Sequence, residues 1–222
     1  MPSDLTGKIR KVDKDAFAYG SSTEIWKGEW KSPPPRSGYR WLAIKVIRTA
    51  LPAPRVKELG QKLMREASLW ADLDDPNVVP LLGMVYDMVP RGVPSLVSPY
   101  YQNRNLKDYM KRNRTQLSYS QMLDMTYQFA SGLEYLHKSN IVHGDLKPDN
   151  IMISDGGEVV ISDFGLSRIL DAAGFTTKNF YGSVRYTAPE LLGFGGPSGS
   201  SQPIRTTMDA DIWAFAITST EV

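Results

Sequence analysis

Cysteine is absent from the 222 residues, which excludes disulfides and thiolate metal sites and fits a reducing compartment. Long apolar runs are missing too, and no stretch approaches the roughly 18 residues of a membrane span. An excess of one charge is also lacking. With 26 Lys and Arg against 24 Asp and Glu the net charge is +2, too small to argue for nucleic acid or membrane partners. The opening Met1-Pro2-Ser3-Asp4 carries neither a signal-peptide pattern nor a myristoylation glycine. These absences make a soluble, cytoplasmic protein the default expectation; they leave the oligomeric state unspecified.

What is present is concentrated in one stretch. His143-Gly144-Asp145-Leu146-Lys147-Pro148-Asp149-Asn150 is followed, thirteen residues after Asn150, by Asp163-Phe164-Gly165. An acid, a lysine and an amide within six residues, then a second acid beyond an apolar run, suit phosphoryl transfer. That reaction needs a positioned hydroxyl and cations to neutralise charge spreading over phosphate oxygens. Asp145 can orient the hydroxyl and Lys147 can sit near the transferred phosphate. Asn150 and Asp163 offer the hard oxygen ligands that magnesium prefers.

This stretch resembles the catalytic and magnesium loops of a eukaryotic protein kinase, and further landmarks follow in order. Leu42-Ala43-Ile44-Lys45 is similar to the third-strand lysine motif, and Glu66 to the helix C glutamate. Ala188-Pro189-Glu190 resembles the end of the activation segment, and Asp211-Ile212-Trp213 the start of helix F. The resemblance runs from about Phe17 to the last residue. It implies an α+β, bilobal kinase fold: a lead-in with the first strand over 1–16, an N-lobe and hinge over 17–101, and a partial C-lobe over 102–222. A domain of this family usually needs about 250 residues or more. The chain is therefore expected to stop inside helix F, without helices G to I.

Periodicity supplies the elements. Ile25 to Trp30 and Trp41 to Ile47 alternate as strands, with Ala43 and Lys45 on one face and Ile44 and Val46 on the other. Between them lies the run Pro33-Pro34-Pro35, read as a turn in preference to a recognition motif for a proline-binding domain. Leu59, Leu63, Glu66, Leu69, Trp70 and Leu73 recur at helical spacing, predicting a helix over about 56–72. Glu66 is either a solvated surface carboxylate or the partner of Lys45, and the family spacing favours the pair. Asn105 is a candidate N-cap. Residues 118–138 predict the longest helix, with Met122, Met125, Phe129, Leu133 and Leu136 as its buried stripe. His137 reads as structural or surface, with nothing acidic spaced around it.

By the resemblance, Lys45 would hold the phosphates of ATP, and Ser98 would be the gatekeeper before a hinge at Pro99 and Tyr101. Ala18, Gly20, Ile25, Ala43 and Met152 would complete the nucleotide site, and Asn150 with Asp163 would hold Mg2+. His143 would pack against Phe164 without moving a proton. The glycine-rich loop departs from the family pattern: Ala18-Tyr19-Gly20-Ser21-Ser22-Thr23-Glu24-Ile25 keeps only the middle glycine, and alone Gly20 reads as an ordinary turn glycine. Gly144 stands where most members carry an arginine that reads a phosphorylated loop. Phosphorylation at Thr176, Thr177 or Ser183 is therefore not expected to be the main switch. The resemblance implies that the arginine with which Glu190 pairs in the family is missing along with helices G to I. Helix F is expected to expose Ile212, Trp213, Phe215 and Ile217.

Asp145 followed by Lys147, and Gly182-Ser183-Val184-Arg185-Tyr186-Thr187, resemble the serine/threonine pattern. Trp26-Lys27-Gly28 and Gly165-Leu166-Ser167-Arg168 resemble the tyrosine-kinase-like group. The expectation is an ATP- and magnesium-dependent serine/threonine kinase acting on a protein hydroxyl. A pseudokinase or kinase fragment that binds partners without turnover competes with it. A small-molecule kinase is disfavoured by Ala188-Pro189-Glu190.

Overall fold

The computed structural model describes residues 1–20, 23–32, 38–48, 53–88, 93–164, 184–192 and 206–222. The proline run, Ser21, Ser22, Gly165 to Ser183 and the glycine-rich 193–201 stretch lie outside them. The chain forms two compact units. One comprises Met1–Asp74 and Val79–Tyr101; the other comprises Asp75–Val78 and the described residues from Gln102 onward.

The first unit is a curled antiparallel sheet with one helix. Its strands are β1 (Ile9–Lys11), β2 (Ala18–Tyr19), β3 (Thr23–Trp30), β4 (Trp41–Ile47), β5 (Gly83–Val85) and β6 (Ser95–Pro99). They run in the order β1-β3-β4-β6-β5, and β2 also pairs with β3. Alternation in β4 sends Leu42, Ile44 and Val46 inward, where they pack with Leu5, Ile9, Val85 and Val97. The segment before β1 reaches the far edge of the same sheet. The Leu5 N–H donates to the Met84 carbonyl at 2.8 Å, the Met84 N–H to the Ser3 carbonyl at 2.9 Å, and the Tyr86 N–H to Thr6 Oγ1 at 3.1 Å.

Helix α1 spans Ala53–Ala71, three residues earlier at its start than periodicity predicts. Val56, Leu59, Leu63, Ala67 and Trp70 are buried. Leu69, assigned to that stripe from the sequence, is 53% exposed. At about 100° per residue it falls outside the arc those five positions define, whereas Glu66 sits at its border.

The second unit holds α2 (Leu106–Asn113), α3 (Tyr119–Lys138), the ribbon β7 (Ile151–Ile153) with β8 (Val159–Ile161), and α4 (Met208–Ser219). Asn105 caps α2, accepting from the Asp108 N–H at 2.8 Å. Ser118 begins α3 with a reciprocal capping box: its hydroxyl accepts from the Gln121 N–H, and Gln121 Oε1 accepts from the Ser118 N–H. Met125, Phe129, Leu133 and Leu136 are buried along α3, and the Phe129 ring lies 4.7 Å from that of Phe215 on α4. Ile212 and Trp213 are exposed, while Phe215 and Ile217 are half-buried.

Candidate active site

In the first unit the sheet register aligns the residues expected at a nucleotide. Ala18 lies opposite Ile25, Ile25 opposite Lys45, and Ala43 opposite Ser98. Directly paired residues share a face, so these five stand on the half-exposed side of the sheet, away from the core. Pro99 ends β6 opposite Leu42, and Tyr101 is buried just beyond. Lys45 and Glu66 are both half-buried, and neither side chain is left without an interaction.

Gly20 opens the β2–β3 turn, its N–H donating to the Thr23 carbonyl at 2.9 Å. A Cβ at Gly20 would come within 2.5 Å of Thr23 Oγ1, so any larger residue here would force the buried threonine side chain to shift. Thr23 itself is buried.

In the second unit the short loop gathers its polar groups onto one carboxylate. Lys147 Nζ lies 2.6 Å from Asp145 Oδ2, and Asn150 Nδ2 donates to the same oxygen at 3.0 Å and to the Asp145 carbonyl at 2.7 Å. This use of the amide nitrogen turns Asn150 Oδ1 away from Asp145. Ser162, just past β8, ties that strand's end to this loop, its N–H and hydroxyl both donating to the Asn150 carbonyl at 2.9 and 2.8 Å. Asp163 follows directly with φ of 65°, a left-handed conformation uncommon for a non-glycine residue and frequent at functional sites. Met152 is half-buried on β7, opposite Val160.

An amide oxygen and a carboxylate brought to one end of a ribbon fit a hard cation that keeps waters and phosphate oxygens in its shell. Among the described residues no cluster of three or more His, Asp or Glu forms an all-protein cage. The donor set of Asn150 and Asp163 therefore fits a hard divalent cation.

His143 is fully buried beneath this loop. Its Nδ1 accepts from the Asp145 N–H at 3.2 Å, so Nε2 carries the hydrogen and donates to the Ser162 carbonyl at 2.8 Å. Burial lowers its pKa below the ordinary 6.5, only partly countered by Asp211. Its ring makes an edge contact with Phe164 at 6.4 Å, as its position in the motif suggests.

Asp211 is the residue whose role spacing could not reveal. At 2% exposure its side chain accepts from the His143 N–H at 2.7 Å and the Gly144 N–H at 2.8 Å. His137 Nε2 is 3.0 Å from Asp211 Oδ2. The expectation that nothing acidic accompanies His137 is therefore corrected: its partner is 74 residues away in sequence. Gly144 has φ of 78°, a region that penalises any side chain.

Beyond the loop, the Tyr186 hydroxyl donates to Glu221 Oε1 at 2.7 Å. Burial first, then that carboxylate, push its pKa up to about 12, so Tyr186 remains a neutral donor at physiological pH. Ala188 is buried and Glu190 exposed. Thr176, Thr177 and Ser183 lie outside the described residues.

Comparison with known proteins bears on these features. A family model described as protein tyrosine and serine/threonine kinase matches residues 13–222. Ephrin type-A receptor 3 of Danio rerio is 30% identical over 206 residues, covering 91% of this chain and 19% of the receptor. Ephrin type-A receptor 5 of Rattus norvegicus gives the same identity and coverage. Ephrin type-A receptor 4-B of Xenopus laevis is 28% identical over 218 residues, covering 97% of this chain and 20% of the receptor. The chain thus spans about a fifth of the length of the curated relatives it matches.

These relatives are receptor tyrosine kinases, which overturns the serine/threonine assignment. The physical reason lies in Lys147. Its ammonium is engaged with Asp145 at 2.6 Å, so its spacing reports that pairing and not the size of the acceptor side chain. Ser183, the other residue behind the assignment, lies outside the described residues. The motifs in order, the curled sheet with its helix and the family match agree: this α+β chain belongs to the protein tyrosine and serine/threonine kinase family.

Proposed function

We propose that this chain transfers the γ-phosphoryl group of ATP to a protein hydroxyl, with Mg2+ as the metal. The observation that carries the reading is Asp145 Oδ2 held at once by Lys147 Nζ and Asn150 Nδ2, which presents a carboxylate of fixed direction beside a cation. The acceptor hydroxyl gives its proton to Asp145 as its oxygen forms the new bond to phosphorus and the bond to the β-phosphate oxygen breaks, releasing ADP. Lys147 steadies the transferred group. Asn150 Oδ1 and the Asp163 carboxylate would hold the metal, which supplies charge neutralisation on the phosphate oxygens.

Lys45, paired with Glu66, is assigned to the α- and β-phosphates. Ala18, Gly20, Ile25, Ala43 and Met152 are assigned to the walls of the nucleotide site, Ser98 to the gatekeeper position, and the Pro99 carbonyl with the Tyr101 backbone to the adenine edge. Residues 17–101 would serve as N-lobe and hinge, and 102–222 as the C-lobe part. A cytoplasmic location belongs to the proposal because the reaction draws on the cellular ATP pool. The relatives favour tyrosine as acceptor.

A second reading, a partner-binding relative without turnover, is favoured by one observation: Ala18 and the buried Thr23 replace two glycines of the phosphate turn. Both are tested by incubating the chain with γ-labelled ATP, Mg2+ and separate peptide pools containing tyrosine, serine or threonine. Label on phosphotyrosine that disappears in Asp145→Asn supports the kinase reading. Nucleotide binding without label transfer supports the second, and absence of both sinks the nucleotide site.

A further inference from the structure

Between β2 and β3 the sequence keeps only one of the glycines that let a backbone settle around phosphate, and that glycine, Gly20, is held by a side chain from outside. Arg48, just beyond β4, donates from Nη2 to the Gly20 carbonyl at 2.8 Å. Its Nε lies 3.9 Å from Glu24 Oε1, and the other Glu24 oxygen accepts from Trp26 Nε1 at 3.1 Å. Register and alternation place this chain of contacts. Glu24 is paired with Val46, on the sheet face opposite Lys45, and Arg48 leaves the strand an odd number of positions after Lys45. The Gly20 carbonyl is thus drawn away from the Lys45 face. A carbonyl oxygen facing a guanidinium does not face an incoming phosphate, whose charge it would repel.

We propose that Arg48 is a positioning residue for the nucleotide turn: its guanidinium, seated on Glu24, sets the Gly20 carbonyl before any ligand arrives. The Gly20 carbonyl is then held by Arg48 and the Gly20 N–H by the Thr23 carbonyl, both before any phosphate arrives. The inference rests on the reading that this turn meets ATP. A preset turn forfeits adaptability but spares the ordering cost on binding.

Two measurements on the full chain separate this inference from that reading. The first is amide hydrogen exchange without nucleotide, following Phe17, whose N–H donates to the Ile25 carbonyl at 3.0 Å, and Gly20, whose N–H donates to Thr23. Arg48→Ala should speed exchange at the Phe17 and Gly20 amides and leave the rest of the sheet unchanged, which also shows that the variant folds. The second is titration with a fluorescent ATP analogue and Mg2+. Arg48→Ala should weaken binding about tenfold, with kcat at saturating ATP unchanged. Arg48→Lys should restore part of the loss, because one ammonium cannot serve both the Gly20 carbonyl and Glu24. If the unsubstituted chain binds and Arg48→Ala binds equally well, the inference is overturned and the kinase reading stands. If the unsubstituted chain binds nothing, the nucleotide reading fails. The exchange data then decide whether Arg48 sets the turn, unchanged rates overturning it.

Discussion

His143 illustrates how one buried side chain links fold and chemistry. It is neutral in the folded protein because burial disfavours the imidazolium, and its Nε2–H fastens Ser162 while its Nδ1 holds the Asp145 amide. Its folded pKa lies below the 6.5 it has when exposed, so below that pH the unfolded chain takes up a proton that the folded chain refuses. Stability contributed by this residue is present above pH 6.5 and declines as pH falls through the window beneath it, by up to about 1.4 kcal/mol per pH unit. Denaturant midpoints between pH 7 and pH 5 should therefore fall more steeply in the unsubstituted protein than in His143→Gln. Equal slopes would show that another group carries the acid sensitivity. Asp211 completes the arrangement, since its carboxylate satisfies the buried His143 amide and the partly buried Gly144 amide of the same loop.

At the scale of elements, α3 is the best specified. Its capping box, its bounds and its buried stripe apart from the half-buried Met122 follow from local sequence, and Ser118→Ala should destabilise the protein by about 1 kcal/mol in chemical denaturation. No change in midpoint would mean that packing alone holds the helix start. Elements like this were legible because their determinants lie within a few residues of one another: β4 matches its predicted span of Trp41–Ile47 residue for residue. Features joining distant residues were not. The Asp211–His137 contact bridges 74 positions, and Arg48 reaches back 28 to Gly20; no periodicity encodes either. Leu69 was misplaced for a third reason, because a stripe written as a list of leucines ignores how narrow the buried arc is. The serine/threonine assignment failed as well, because the spacing of Asp145 and Lys147 reports their own contact.

For the molecule as a whole, the proposed site should take up nucleotide and metal while the chain stays folded. Saturating ATP with Mg2+, at a hundredfold over the dissociation constant, adds about 2.7 kcal/mol and should raise the melting temperature by about 5–10 °C. Asp163→Ala should abolish the metal-dependent part of that shift. A shift that is the same with and without Mg2+ would remove Asn150 and Asp163 from the metal site.

The first few residues carry a practical lesson about where to cut. The family match begins at residue 13, yet Leu5 and Ile9 lie in the core and residues 3–6 cover the outer edge of β5. A chain trimmed to the matched region would lose two core side chains and bare a row of unpaired peptide groups, the kind of edge through which sheets recruit further strands and aggregate. Recombinant versions of this domain should keep residues 3–12 ahead of the matched region.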